Sequence, residues 1–433
     1  VGGNINFKAR NILSTQDALN FDPIYNPTIY NPGQVRFHVE EKLELGVMNF
    51  LNGNSSPIRE MVYEFEADDI SFGMEIGGED VTKSSVKFDS LDYSTKDHRT
   101  IISARGDVRF LSGVELKNSA LTLEAANFEM QNSKIQLQAS YDSELLVKDG
   151  LSLRGGSVIE SLSPTGKQSG KVRDVTTLNI SSGQLSLDPG SSIWTSSEGG
   201  DPLGNKPIAN LKIQSDFISL DNARIFSSTF NQSKAGDVEI EADGLSLRDS
   251  VIGSANNSQA DSGDVTINAG QAVLAENSFI ANGLNMEMLD LGLNPFAPGD
   301  AGDINMNSDS LRLEGGSYIR NAQIDTSLPG NVSVTSGEIS LADGSYIATE
   351  SVPLYQTDFS NRTEVDQNGS VNIKTGSLDL SDSSYVKTTT VIPKRNAGDI
   401  TIEADSVSLT GRSSLLSNTE PNKFETELGL TGL

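Results

Sequence analysis

The sequence predicts an all-β fold, a right-handed parallel β-helix with three-strand coils of about 28 residues and loop insertions at one corner. The main observation is a repeated phrase in which Gly and a small polar residue precede an alternating apolar pair. Its glycines are Gly236, Gly263, Gly302, Gly330, Gly369 and Gly398, with spacings of 27, 39, 28, 39 and 29 residues. Alternate coils therefore carry about 11 extra residues.

Each repeat contains two further apolar runs. A second alternating pair follows the first by about seven residues, as in Ile339-Ser340-Leu341, and a Ser-x-Ile run comes later, as in Ser345-Tyr346-Ile347. Runs of period 2 separated by turn residues predict three short strands in each coil. A single coil cannot bury its own apolar side chains, so the coils must stack.

The pattern weakens toward the N-terminus. We expect irregular coils with long loops in residues 1–104, a regular β-helix in 105–420, and a tail or cap in 421–433. On the order of 15 coils, each rising about 4.8 Å, would make a rod of roughly 70 Å. The right hand follows from the general rule for parallel crossovers.

Composition excludes several classes of protein. With 59 acidic and 32 basic residues, the formal charge is −27, which disfavours nucleic acid as a partner. The absence of cysteine excludes disulfides and thiolate metal sites. No apolar run is long enough for a membrane helix, so we expect no membrane insertion, and the first residues lack a signal-peptide pattern.

Two phrases of the repeat carry a family resemblance. Residues 235–247, AGDVEIEADGLSL, and residues 397–409, AGDITIEADSVSL, resemble the repeats of filamentous-haemagglutinin-like exoproteins, especially those of cyanobacteria. The resemblance covers about residues 105–420. It implies a right-handed parallel β-helix, export to the cell surface, and a role in adhesion or in the extracellular matrix. The N-terminal secretion domain of that two-partner-secretion family is not found in this chain.

Residues for catalysis are few, so no enzyme activity, catalytic residue or cofactor is predicted. His38 and His98 are the two histidines, and neither has the neighbours of a nucleophilic triad. Abundant carboxylates and the known lyases and hydrolases among β-helices leave a polysaccharide-cleaving enzyme as a third hypothesis.

A column of acidic and related side chains follows the repeat glycines. Aspartates occupy this position at Asp107, Asp237, Asp264, Asp303 and Asp399, and the equivalent positions of other coils hold Asn4, Asn210, Asn331 and Ser370. Because Asp, Asn and Ser share the ability to accept a bond from a nearby backbone amide, the turn interpretation is favoured over a calcium ladder. Adventitious calcium stays possible on so acidic a chain.

The tripeptide Arg105-Gly106-Asp107 matches a motif that integrins read in some adhesins. It coincides with the opening phrase of a repeat, so a structural role is favoured.

Aromatic residues recur in the third run of four consecutive coils. Phe279, Tyr318, Tyr346 and Tyr385 each lie 14 positions after the first apolar residue of their coil. Stacked coils would align these rings at steps of about 4.8 Å. The column is interpreted first as a stabilising ladder and second as a platform for a glycan or a partner's apolar surface.

Apolar residues also occur in the insertions, where they suggest contact with a partner or with a flank of the rod. These residues are Met286, Met288, Leu289, Leu291, Phe296, Tyr25 and Tyr30. A separate set lies near the two termini, where it would serve end-to-end assembly or capping: Ile5, Phe7, Phe424, Leu428, Leu430 and Leu433.

The sequence therefore predicts a secreted structural or adhesive protein, located outside the cell or on its outer surface. Its rod would present loops to itself, to surface or matrix proteins, or to polysaccharide, through many weak contacts. The alternative is a filament subunit that assembles head to tail.

Overall fold

Strand pairing is parallel throughout the part of the chain that the structure describes. The computed structural model comprises two compact units, Val1–Arg224 and Ile225–Leu433. It describes residues 4–14, 28–30, 34–46, 48–52, 60–73, 86–90, 97–118, 120–138, 141–162, 175–197, 208–229, 234–256, 260–283, 299–324, 327–352, 368–390 and 395–419. These residues form strands and turns and contain no helix, so the all-β prediction is confirmed.

The strands of the first unit are numbered in chain order. They are β1 Asn4–Ser14, β2 Thr28–Tyr30, β3 Gln34–Leu45, β4 Met48–Asn52, β5 Glu60–Ala67, β6 Asp69–Phe72, β7 Val86–Ser90, β8 Asp97–Ala104, β9 Asp107–Phe110, β10 Glu115–Asn118, β11 Ala120–Gln131, β12 Lys134–Gln138, β13 Ser143–Arg154, β14 Val158–Leu162, β15 Val175–Leu187, β16 Ser192–Ser197 and β17 Ile208–Asp221.

The second unit continues the numbering with β18, which begins at the last residue of the first unit. Its strands are β18 Arg224–Thr229, β19 Val238–Arg248, β20 Val251–Asn256, β21 Val265–Ala275, β22 Phe279–Gly283, β23 Ile304–Leu313, β24 Tyr318–Ile324, β25 Val332–Leu341, β26 Tyr346–Val352, β27 Val371–Leu380, β28 Tyr385–Thr390, β29 Ile400–Leu409 and β30 Ser414–Thr419.

In each unit the chain alternates between two sheets. In the second unit, sheet A has the order β19-β21-β23-β25-β27-β29, and sheet B has the order β18-β20-β22-β24-β26-β28-β30. We call one passage through sheet A and then sheet B a coil. Each coil places its two strands beside the matching strands of the preceding coil, so the stack grows in one direction.

The first unit has the same plan with divided strands. Its sheet B has the order β2-β4-β7-β10-β12-β14-β16, and its sheet A runs from β17 through β15, β13, β11, β8 and β5 to β3. The first part of β3 pairs with β5 and its second part with β6, while β11 pairs with both β8 and β9. Strand β1 pairs with β3, so coils continue into the first hundred residues.

In the second unit the first two predicted runs of a coil lie in one long strand, so a coil there has two strands instead of the predicted three. The coils β5-β6-β7 and β8-β9-β10 of the first unit have three strands. In β21 the buried side chains are Val265, Ile267 and Ala269, followed by Ala272 and Leu274. The step of three residues in the middle shifts the alternation, and both runs therefore face the core. The backbone stays extended through this corner, which is why the two runs join.

The repeat glycines lie where successive coils come closest. A Cβ atom added at Gly369 would be 2.0 Å from the carbonyl oxygen of Gly330, and one added at Gly398 would be 1.9 Å from that of Gly369. Real Cβ atoms do not approach a backbone oxygen so closely, so each of these positions excludes every other residue unless the coils move apart. The glycine phrase is a requirement of stacking.

The polar residue after each glycine bonds to the next coil. The backbone N–H of Asp264 donates to Oδ1 of Asp237 (2.9 Å), and the N–H of Asp303 donates to Oδ1 of Asp264 (2.9 Å). The ladder continues from Asp303 to Asn331 (2.7 Å) and from Asn331 to Ser370 (3.0 Å). The predicted bond to a backbone amide is confirmed, with the correction that the amide belongs to the following coil.

A second ladder lies inside, where polar side chains of sheet B reach the carbonyl groups of repeat glycines. Nδ2 of Asn321 donates to the carbonyl oxygen of Gly302 (2.7 Å), and Oγ1 of Thr349 donates to that of Gly369 (2.6 Å). These buried hydroxyl and amide groups satisfy carbonyls that turn away from the strand pairing. The core thus contains hydrogen bonds as well as apolar packing.

Apolar columns fill the remaining interior. In the first unit, Phe37 stacks on Phe65 at 5.3 Å, and edge-to-face contacts of 5.1 to 5.3 Å link Phe65, Phe72, Phe110 and Phe128 in turn. All five rings are at most 2% exposed. In the second unit smaller residues replace them, as in the column that runs through Ile240, Ile267, Met306, Val334 and Ile373.

We expect Gly369→Ala to lower stability by about 1 to 3 kcal/mol, because its Cβ atom would overlap the backbone of the preceding coil. Gly150→Ala is the matched control: its Cβ atom would meet only Oδ1 of Asn127, at 3.4 Å. Urea unfolding followed by circular dichroism measures both. Equal midpoints for the two variants would contradict the stacking constraint.

Candidate functional site

The four predicted aromatic residues form one continuous stack on the outer face of sheet B, which we call the aromatic column. The ring centroids of Phe279 and Tyr318 are 4.9 Å apart, those of Tyr318 and Tyr346 4.7 Å, and those of Tyr346 and Tyr385 4.8 Å. The planes deviate by only 1°, 9° and 6°. The ring spacing is therefore the spacing of the coils themselves.

Burial limits what the aromatic column can bind. Phe279 is 6% exposed and Tyr318 is 5% exposed, while Tyr346 and Tyr385 are half-buried. Each ring covers the faces of its neighbours, and the register places Val251 and Ser414 beyond the two ends. A sugar ring can stack on an aromatic side chain only where a face of that ring is open, so this geometry favours the ladder interpretation over the platform.

Three charged side chains lie on the same outer face, and we call them the ion triad. Nε of Arg320 lies 2.7 Å from Oε2 of Glu350, and Nζ of Lys387 lies 2.5 Å from Oε1 of the same carboxylate. The side chains are only 18%, 11% and 21% exposed, in that order. One glutamate therefore joins the coils before and after its own in a largely buried setting.

The electrostatics of the ion triad follow from this arrangement. Burial acts to raise the pKa of Glu350, but the charges of Arg320 and Lys387 outweigh it, so the pKa lies below its usual value of 4.5. Burial acts to lower the pKa of Lys387, and the Glu350 carboxylate reverses that effect, so the pKa lies above 10.5. All three groups stay charged at neutral pH and hold a net charge of +1.

Register explains why the ion triad and the aromatic column are adjacent. Arg320 and Lys387 each come two residues after a tyrosine of the column, and Glu350 comes four residues after Tyr346, so all face the same side. Nζ of Lys387 lies 5.3 Å from the centroid of the Tyr385 ring. The sequence analysis missed this cluster, although the recurrence of a cation two residues after the aromatic position was a usable signal.

The first unit has a related pair with the opposite electrostatic balance. Nζ of Lys134 lies 2.7 Å from Oε1 of Glu160, whose side chain is 4% exposed. Burial raises the pKa of Glu160, and the attraction of Lys134 and Lys117 only partly offsets it. This carboxylate has one close cation, whereas Glu350 has two.

The tripeptide at Arg105 belongs to the stack. The backbone N–H of Asp107 donates to Oδ1 of Asp69 (2.9 Å), and its carboxylate pairs with Arg109 (2.6 Å) and accepts from Nδ2 of Asn127 (2.9 Å). Arg105 is exposed and pairs with Asp68. The carboxylate of Asp107 is thus engaged within the fold, as the structural interpretation expects.

Only some of the other predicted contact and assembly residues lie within the described residues. Ile5 is half-buried and Phe7 is 37% exposed in β1, and Tyr30 ends β2. Tyr25, Met286, Met288, Leu289, Leu291, Phe296, Phe424, Leu428, Leu430 and Leu433 lie outside the described residues. His38 lies on the exposed face of β3 beside Glu66. Loop contact, end-to-end assembly and calcium binding stay predictions.

Comparison with known proteins supplies no relative. No family model, no curated protein and no solved structure matches this chain. Within the described residues, no helix is long and apolar enough to cross a membrane, and no three His, Cys, Asp or Glu side chains cluster as metal ligands.

We expect Glu350→Gln to lower stability at pH 7 by about 3 kcal/mol, because two buried cations would lose their counter-charge. The depressed pKa of Glu350 gives stabilisation that is present above about pH 4.5 and is lost as the pH falls through the folded value. The gap between wild type and variant should therefore narrow in acid, as measured by urea unfolding across pH.

Glu160→Gln is the control for that experiment. Because burial raises the pKa of Glu160, its ionised form is penalised in the fold, and the amide should be neutral or slightly stabilising at pH 7. Similar losses in both variants would refute the electrostatic account.

We expect Tyr346→Ala to destabilise the second unit by about 1 to 3 kcal/mol, since it removes two stacked-ring contacts from the aromatic column. Tyr346→Phe should keep most of the stability because the ring stack is unchanged. Thermal unfolding compares the two. A fully stable Ala variant that loses binding to a partner would instead support the platform interpretation.

Proposed function

We propose that this chain is a secreted, non-enzymatic protein of the cell surface, a right-handed parallel β-helix whose stacked coils hold contact surfaces away from the cell. The alternation of strands between two parallel sheets supports the β-helix, and the crossover rule supports its right hand. The resemblance of residues 235–247 and 397–409 to filamentous-haemagglutinin-like repeats supports export and adhesion.

The observation that carries the proposal is that side chains of types often used in catalysis or binding instead make contacts between coils. The carboxylates of Asp237, Asp264 and Asp303 accept hydrogen bonds from backbone amides of the following coil. The rings of the aromatic column stack on one another. Side chains committed to such ladders resist axial separation of the coils. In an enzyme such side chains would instead be clustered in one cleft.

Adhesion through such a molecule depends on geometry. A repeated surface presents similar groups at about 4.8 Å intervals, so contacts that are weak singly act together. The net charge of −27 keeps the molecule soluble and reduces non-specific attachment to other acidic polymers.

The test uses the purified chain, antibodies against it, and cells of the organism that makes it. We expect antibodies to label intact, unpermeabilised cells, and beads coated with the chain to adhere to those cells or to their isolated matrix. Incubation of matrix polysaccharide with the chain should release no new reducing ends.

Labelling that appears only after permeabilisation would overturn the surface location. Release of reducing ends in proportion to protein concentration would establish the polysaccharide-cleaving alternative. Uncoated beads and beads coated with heat-unfolded chain are the controls for adhesion.

A further inference from the structure

A groove of about 800 Å³ crosses sheet A of the first unit. It takes residues of equivalent register from β3, β5, β8, β11, β13, β15 and β17, so it runs across the strands, parallel to the direction of stacking. Seven strands with a spacing of about 4.8 Å make it about 29 Å long. Its length suits an extended polymer better than a small molecule.

The groove follows the corner of the coil, where the residues of its floor have small side chains. Ala67, Ala104, Ala125 and Val147 form its floor and are 3 to 7% exposed. The strand register shifts just after Ala125, so the backbone changes direction where the side chains are short. A shallow channel follows along successive coils.

The two walls are more exposed than the floor, and most of their side chains are polar. One wall is a register row of Glu66, Ser103, Glu124, Leu146 and Ser181. The other contains Arg105 and Lys148, which follow floor residues in the sequence, and also Asp216. Leu146 is 40% exposed and is the large apolar side chain among these wall residues.

Three wall charges are open to a ligand. Glu66 pairs with His38 and Arg105 pairs with Asp68. Glu124, Lys148 and Asp216 are exposed and make no ion pair with any described residue. A carboxylate accepts several hydrogen bonds and an ammonium donates three, so these side chains match a ligand rich in hydroxyl groups.

A polypeptide fits this surface poorly. Peptides gain main-chain hydrogen bonds when they add to the edge of a sheet, but the strands here are paired on both sides by neighbouring coils. A peptide in the groove would bring amides to a surface without free backbone partners, and each unpaired group is costly.

Charge selects among polysaccharides. The groove has two basic and three acidic side chains, and the whole chain carries −27. A sulfated or uronic acid polymer would be repelled. A neutral polymer encounters donors and acceptors in the walls and an apolar contact at Leu146.

We infer that this groove binds a neutral, linear polysaccharide that lies parallel to the direction of stacking. Glu124, Lys148 and Asp216 hydrogen-bond its hydroxyl groups, and Leu146 packs against the C–H face of a sugar. The inference rests on the proposed surface function, for which it names a class of partner.

The experiment is titration calorimetry of the full chain with neutral hexasaccharides of β-1,4-linked glucose, β-1,3-linked glucose and β-1,4-linked mannose. At least one should bind. Glu124→Ala, Lys148→Ala and Leu146→Ala should each weaken that binding about tenfold, the effect of losing one good contact. Glu124→Gln keeps an acceptor and should lose less.

Matched controls lie outside the groove. Val175→Ala removes another exposed apolar side chain of the first unit, and Lys374→Ala removes an exposed lysine of the second. Both should bind as wild type does. Circular dichroism of all the variants verifies folding.

Binding by none of the three hexasaccharides, or binding that the groove variants leave unchanged, would overturn the inference. Preferential binding of a sulfated or uronic acid hexasaccharide would overturn the ligand class. Failure of the proposed function is distinct: antibodies would not label intact cells, whatever the hexasaccharides do.

Discussion

Close approach of one backbone to the next is the constraint on which the rest of this structure depends. At the repeat glycines, successive coils leave no room for a side chain, and Gly398 lies against the carbonyl of Gly369. That contact sets the spacing at which Asp237 can receive the amide of Asp264. It also sets the spacing at which Tyr318 and Tyr346 stack.

The outer face of sheet B in the second unit departs from the simple rule of inward apolar and outward polar side chains. Strands β20 and β22 are buried at every position, on both faces. The ion triad lies further along the same face, on β24, β26 and β28, where Glu350 pairs with Arg320 and Lys387 from the coils on either side. Because a one-residue slip would turn Glu350 to the other face, the triad penalises wrong register.

Much of the fold could be predicted because each repeat has short, local sequence patterns that recur along the chain. The glycine phrase and the Ser-x-Ile run identified the stacking and placed all four rings of the aromatic column. The joining of two runs into one strand was missed, since small residues such as Ala269 signal a break without specifying its angle.

Side-chain clusters were harder to predict. Arg320, Glu350 and Lys387 are far apart in the sequence and occupy two different register rows. Only the three-dimensional structure shows that the Glu350 carboxylate pairs with cations of both neighbouring coils. The groove was missed for a related reason, because its floor residues, such as Ala104 and Ala125, look ordinary one coil at a time.

The ladder of bonds from backbone amides to the polar residues after the repeat glycines bears on how such a chain can evolve. The bond from Asp264 to Asp237 spans 27 residues and the bond from Asp303 to Asp264 spans 39, yet both measure 2.9 Å. The axial rise of a coil is therefore independent of its contour length. Segments can be inserted or deleted at a corner without a change in the axial rise, so the surface loops can diversify while the stacked coils stay the same.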